Sequence, residues 1–447
     1  MCSSRFRSCN GLPGILSTSR VALLALSWPS GAIAAAPTDH SSVQVRQVQA
    51  SAPVVASSDR EFGTALDWLN RIDEDRTPQR EKPVLEGAFR GLEPPRLQRT
   101  GLEPRLTLTS DFTDNLFLSP DSDSQESSLT LSIAPGLSYE NAGRGWSVLA
   151  DYSLESAAYV NHEYLNEVLD AQQARISGNL QLSPLTVVGF FNLYRETRDA
   201  EEQVILIPDP DLARYKANEL VAYGSHKFSR TISAEMIYRN QLQITDDSGS
   251  SDIRMNEGVG TLRIKTSLRD QVTWRLGQRR FDFSPGIDQE VKSATLGFEH
   301  ECSRRLIATV VGGWLRSSTG QGEDFLQARG ELQYSTSESV TTLNVARNIT
   351  TTPGFNALLL ENAINGSITY RVAAGLRAGV NVSLAEYETL DSAGLNIDSV
   401  EIRPSLSYAL DNEQWLVLNY GYRHQSVDQG PTITSNRVTL GFVKSFR

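Results

Sequence analysis

From Pro104 to the end of the chain, apolar and polar residues alternate in short runs. The run "VEIRPSLSYAL" (400–410) shows the pattern plainly. Val400, Ile402, Pro404, Leu406, Tyr408 and Leu410 share one parity, and Glu401, Arg403, Ser405, Ser407 and Ala409 the other. A period of two means a strand, because successive side chains leave a strand on opposite faces. The alternation recurs through Leu106, Leu108 and Phe112, through Leu129, Leu131, Ile133, Leu137 and Tyr139, and through Trp146, Val148, Ala150, Tyr152 and Leu154. It returns at Leu326, Ala328, Leu332 and Tyr334 and at Leu376, Ala378, Val380, Val382 and Leu384. The run "RRLIATVVGGWLR" (304–316) cannot be phased by inspection.

The connections carry more information than the strands. Short turns fall at Glu140–Arg144, Ser183–Thr186, Ser229–Thr231, Arg269–Gln271, Cys302–Arg305, Thr336–Ser339, Val372–Ala374 and Asp411–Glu413. Between them lie longer, acidic, Gly/Pro/Asp-rich stretches such as "SPDSDSQES", "ETRDAEEQVILIPDPDLAR", "SPGIDQ" and "TTPGFNALLLEN". Strict alternation of short and long connections is the rhythm of outer-membrane barrels, with short periplasmic turns and long outer loops. It predicts an all-β, antiparallel, up-and-down transmembrane barrel of about 18 strands (16 to 18), with both ends periplasmic. In lipid no sheet edge stays open, so the sheet closes. The Val400 parity then faces lipid, and the Glu401/Arg403 parity faces a polar interior. Pro404 and Pro135 lack a ladder donor and are expected at bulges or gaps in pairing. A secreted β-sandwich or β-solenoid is the competing architecture, but neither requires the loop rhythm.

Composition agrees with a barrel. Mean hydropathy is −0.30, and no apolar run reaches the roughly 18 residues of a membrane helix; barrel strands are half polar and escape that test. Residues 1–34 read as an export signal. Arg5, Arg7 and Arg20 precede an apolar run from Val21, and Ala32-Ile33-Ala34 is a small-residue cleavage pattern. Its loss takes the formal net charge from −11 to about −14, since it holds three arginines and no acid, which argues against nucleic acid as a partner. Cys2 and Cys9 leave with it. Cys302 then stands alone, so neither an intrachain disulfide nor a thiolate metal cluster is available. Residues 35–102 are rich in Ser, Gln, Pro and charge and read as a mostly disordered periplasmic extension, with one short amphipathic helix at 62–75. The barrel is expected over 103–447.

The stretch 106–159 carries Asp114, Asn115, Phe117 and Ser119 in a D-N-x-F-x-S piece, then "APGLSY" and a "W-x-V-x-A-D-Y" strand. This part resembles the β-barrel porin 2 family, outer-membrane barrels associated with exopolysaccharide or capsule production. The resemblance implies a barrel and a polysaccharide-export setting in a Gram-negative envelope; it implies no substrate and no catalytic residues. The last strand, "RVTLGFVKSFR", looks like a C-terminal assembly signal, with Gly441, Phe442 and Phe446, although Lys444 and Arg447 depart from that pattern.

Parity assigns candidate lumen residues. Arg175, Arg239, Arg263, Arg275, Arg329, Arg377, Arg403 and Arg423 point inward, with Glu331 and Glu401; Arg105, Arg279 and Arg371 and the acids Asp111, Asp151, Glu155, Glu235 and Glu299 share that side. Rings of fixed charge select solutes by sign, and guanidinium forks suit carboxylates, phosphates and sulfates. The bland alternative is that these arginines pair with inward carboxylates and brace the wall. Trp146, Trp274, Trp314, Trp415, Tyr139, Tyr334, Tyr370 and Tyr408 are expected in interfacial girdles. Acidic loop tips (Asp121, Asp123, Glu201, Glu202, Asp246, Asp247) read as solvated surface, without a calcium-loop spacing. His162 and His424 form no catalytic motif.

The function expected is an outer-membrane channel, a passive porin or exopolysaccharide-export conduit with an arginine-rich lumen. The alternative is a non-conducting scaffold for polysaccharide biosynthesis or adhesion. Either is expected to be no enzyme and to need no cofactor. Expected partners are outer-membrane lipid and lipopolysaccharide, the barrel assembly machinery, a polysaccharide or anionic solute, and a periplasmic export partner. The loop 198–213 is a candidate plug.

Overall fold

A computed structural model describes residues 101–447 apart from 121–124, 199–213, 246–251, 284–286, 319–322, 352–356, 391–394, 412, 429, 431 and 447. The export signal, almost all of the extension, the acidic loop tips named above and all but Arg198 of the candidate plug lie outside the described residues.

Among the described residues eighteen strands run in chain order. They are β1 (Gly101–Thr113), β2 (Ser128–Gly143), β3 (Trp146–Tyr159), β4 (Glu167–Ser183), β5 (Thr186–Thr197), β6 (Tyr215–Lys227), β7 (Ile232–Thr245), β8 (Ile253–Lys265), β9 (Asp270–Phe283), β10 (Ile287–Ser303), β11 (Leu306–Ser317), β12 (Asp324–Ser335), β13 (Ser339–Thr350), β14 (Leu359–Ala373), β15 (Leu376–Thr389), β16 (Asn396–Ala409), β17 (Gln414–Val427) and β18 (Thr432–Ser445). Each pairs antiparallel with its sequence neighbours, and β1 pairs with both β2 and β18. The sheet therefore closes on itself and has no free edge, as spanning lipid demands. The barrel begins at Gly101, two residues before the expected boundary.

The eight predicted turns all join consecutive strands. The "SPGIDQ" connection is shorter than expected, because β10 already starts at Ile287. Both mid-strand prolines sit where a ladder is interrupted on one side. Pro404 pairs with Val380 of β15, but the β16–β17 register skips from Ile402↔Tyr422 to Ser405↔Asn419. Pro135 pairs with Leu106 of β1, while the β2–β3 register skips from Ile133↔Ser156 to Gly136↔Ser153. No extra residue enters at either place, so these are gaps and not bulges: a missing N–H removes ladder bonds without shifting the strand.

Faces follow from exposure. Leu108, Leu131, Ile133, Ile176, Phe190, Leu296, Leu343, Ile368, Leu406, Leu418 and Leu440 are exposed, whereas Asp151, Glu219, Glu235, Arg239, Glu257, Asn419 and Arg423 are buried. A soluble fold would show the reverse, so the exposed apolar side is the lipid side. β11, the strand that could not be phased, exposes Val310 and Trp314 and buries Leu315. The tyrosines Tyr139, Tyr334, Tyr370 and Tyr408 and Trp146 are exposed near the short-turn ends, as a periplasmic girdle requires. Trp274 and Trp314 also face outward. Trp415 does not. It shares the inner parity of Asn419 and Arg423, is 9% exposed and stands opposite Val443, so it belongs to the interior packing rather than a girdle.

Candidate functional site

The inner wall is the place where chemistry can occur, and strand parity builds it. Register puts like-facing residues of neighbouring strands side by side, about 4.5–5.5 Å apart at Cβ. All eight arginines and both glutamates proposed for the lumen fall on the inner parity of β4, β7, β8, β9, β12, β15, β16 and β17. Several of them meet acids. Arg263 Nη2 lies 2.7 Å from Glu235 Oε2, and Arg239 Nε lies 2.5 Å from Glu219 Oε1. Arg329 reaches Glu331 at 2.9 Å, and Arg403 pairs with Glu401. Glu401 also stands opposite Arg423 in the β16–β17 register. Within that set Arg175 lies 5.3 Å over the ring of Phe191, and beyond it Arg105 pairs with Asp151 at 3.4 Å and Arg437 with Asp111.

The densest part lies on β6–β9. Arg239, Glu257 and Arg279 occupy one row of three adjacent strands, with Glu219 against Arg239. Four residues nearer the periplasm, past a row of Ile237, Val259 and Gly277, Glu235, Thr261 and Arg275 form another row. Within the first of these rows opposite charges thus alternate around the wall. Burying one charge costs several kcal/mol, and an adjacent counter-charge offsets that cost. Glu219 and Glu257 were not anticipated. Their parity also carries Val221, Tyr223, Met255 and Val259, so the polar side of these strands could not be recognised from alternation.

Arg279 has a further role. It lies 3.5 Å from Glu257, and it donates to the Ile349 carbonyl at 2.9 Å and to Asn348 Oδ1 at 3.2 Å. Those acceptors lie at the outer end of β13, four strands away. The β13–β14 ends are therefore drawn inward. Leu358, Leu360 and Ile349 pack in one buried cluster with Ile253, Met255, Phe281, Phe283, Val291 and Leu315 of β8–β11. Leu359 packs the other way, against Tyr387 and Ile397 of β15 and β16. One hairpin thus touches walls on both of its sides, and the inner face becomes apolar at its outer end.

The D-N-x-F-x-S piece has a structural place at the closing seam. Asp114 accepts from the Asn436 backbone N–H at 2.7 Å and from its Nδ2 at 2.6 Å. Asn115 donates to the carbonyls of Thr434 and Ser119, both at 2.9 Å, and accepts from the Ser119 N–H at 2.8 Å. The β1–β2 connection is so tied to β18. Phe117 meets the ring of His162, which lies 2.7 Å from Glu126, while His424 engages Thr434. Phe442 and Phe446 share the lipid-side parity of β18, and Gly441 lies opposite Thr109 at the seam.

No family model and no curated protein sequence matches the chain. Solved structures similar to it include OccAB4 of Acinetobacter baumannii, at 14% identity over 78% of this chain and 99% of that one, with a TM-score of 0.43. OpdK of Pseudomonas aeruginosa, solved with vanillate, is similar at 11% identity over 77% and 99%, with a TM-score of 0.44. The siderophore receptor PirA of the same organism is similar at 12% identity over 79% and 81%, with a TM-score of 0.42. The closed antiparallel sheet, apolar outside and charged inside, defines the molecule in hand: an 18-stranded β-barrel of the bacterial outer membrane.

Proposed function

We propose that the chain is a channel for polar, charged solutes whose outer mouth is narrowed by the inward-drawn β13–β14 hairpin. The tie from Arg279 to Ile349 and Asn348, over the apolar cluster of β8–β11, is the observation that carries this reading. Below the narrowing, a solute meets paired charges of both signs, with Arg263 beside Glu235 and Arg329 beside Glu331. A paired arginine keeps donors free for a passing anion, but its field is largely cancelled by its neighbour. The expected permeant is therefore a solute read by hydrogen bonds as much as by net charge. An acidic exopolysaccharide is one such solute, in keeping with the family resemblance of residues 106–159. The apolar packing at the mouth favours a second reading, a closed barrel that serves as a scaffold.

The test is conductance of residues 35–447 in a planar bilayer. A channel gives stable steps, and Arg279→Ala is expected to widen the mouth and raise unitary conductance by about half or more, since a missing tether frees the hairpin. Steps blocked by acidic polysaccharide would support export. A folded, heat-modifiable barrel that stays silent, with and without Arg279, would leave the scaffold.

A further inference from the structure

The outside of the barrel is not uniform at its outer rim. Along β8–β13 the lipid-side parity of the outer rim carries the cations Arg254, Arg280, Lys292, Arg316 and Arg347, interleaved with the acids Asp282, Asp288, Glu290 and Asp324. Lys292 stands opposite Arg316 in the β10–β11 register, and the side chains of Arg280, Lys292 and Arg316 are each more than half exposed. Two residues nearer the membrane centre, Trp314 lies below Arg316 and Val345 below Arg347, and on β9 Leu276 lies four residues below Arg280; all three are exposed. Apolar surface topped by exposed guanidinium and ammonium groups is the chemistry that meets a lipid bearing phosphate at its headgroup.

The pairing of these cations is uneven. Arg280 is held by Asp282 at 3.0 Å and Asp288 at 2.6 Å. Lys292 lies 3.5 Å from Glu290, and Arg316 is 3.9 Å from Asp324, at the limit of an ion pair. Arg254 and Arg347 make no ion pair among the described residues. Exposed pairs of this kind are worth at most about 1 kcal/mol, so a multivalent phosphate can displace them. Elsewhere the rim has the opposite sign. The same parity at the outer ends of β15 and β16 carries Glu386, Glu388 and Asp398, with Glu386 directly opposite Asp398.

We infer that the β8–β13 exterior is a binding site for a phosphorylated glycolipid of the outer leaflet. Arg254, Lys292, Arg316 and Arg347 hold its phosphates, and Trp314, Leu276 and Val345 lie along its acyl chains. The inference rests on the outer-membrane placement and not on conduction, so bilayer recordings and lipid binding fail separately.

The experiment is native mass spectrometry of the refolded barrel in detergent, titrated with bisphosphorylated lipid A, its dephosphorylated form, and inorganic phosphate. Wild type is expected to retain the bisphosphorylated lipid about ten-fold more strongly than the dephosphorylated one. The variant R254Q/K292Q/R316Q/R347Q is expected to lose that preference, and E386Q/E388Q/D398N to keep it. Heat-modifiable mobility reports folding; if the quadruple variant fails it, R316Q/R347Q is measured instead, with an intermediate preference expected. A preference that survives in the cation variants, or is absent from wild type, overturns the site. Full displacement of the lipid by millimolar-range inorganic phosphate also overturns it, since a free-anion site would then account for the binding.

Discussion

Single residues on the inner wall differ from their outward neighbours in what they cost to remove. Arg239 and Glu219 are 2% and 7% exposed at the side chain, so truncating one strands the other in a buried place. Arg239→Ala is expected to destabilise the barrel by roughly 3–5 kcal/mol, read as a lower urea midpoint, whereas the double variant with Glu219→Gln recovers part of the loss. A midpoint unchanged by Arg239→Ala would mean that water already solvates the pair. Asn115 poses a smaller version of the same problem. It is 1% exposed and makes three hydrogen bonds at the seam, so Asn115→Ala should cost about 1–3 kcal/mol and expose the β1–β2 connection to protease. Nearby Leu118 adopts a positive φ of 52°, uncommon for a leucine, yet it is fully buried against Ile433. Its apolar contact and the Asn115 turn hold it there together.

At the level of the strand, parity decides the consequence of a charge. Leu418 faces lipid, and Asn381 on β15 faces the interior. Leu418→Arg should cost about 2–4 kcal/mol, because an arginine there meets hydrocarbon, whereas Asn381→Arg should leave stability within about 1 kcal/mol. Refolding into vesicles, followed by denaturant titration, gives both numbers; equal costs would contradict the facing assigned here. The expectation that apolar parity means lipid holds for most strands. β8 departs from it. Ile253, Met255, Val259 and Thr261 are buried inside, while Arg254, Gly258 and Gly260 look outward. Ile253 and Met255 are apolar within because the β13–β14 hairpin packs on them, and Val259 packs with Val221, Tyr223 and Ile237 of β6 and β7.

At the largest scale the sheet is a ring without an end. An open sheet would lose amide protection first in its terminal strands, because their outer hydrogen bonds go to solvent. Here β1 is bonded on both sides, from Arg105↔Ser445 to Thr113↔Arg437 on the β18 side. Hydrogen exchange should therefore find β1 and β18 as protected as β10 and β11. Faster exchange confined to β1 and β18 would place a lateral opening at the seam. The ring also explains why charges of both signs are affordable inside. Each inner arginine has neighbours on two strands, and the acids Asp151, Glu219, Glu235, Glu257 and Glu401 fall among those neighbours.

Much of this was legible in the residues. Alternation, the rhythm of short and long connections, the two prolines at ladder gaps and the inward parity of the arginines all depend on the local geometry of a strand, which is a property of two or three residues at a time. Other features needed the closed structure. Glu219 and Glu257 became wall residues, Trp415 turned inward and Leu358 and Leu360 packed against β8–β11 because residues far apart in the chain meet there. Alternation tells which residues share a face. It does not tell what covers that face, and where a hairpin packs across the interior, the apolar and polar sides of a strand exchange meaning.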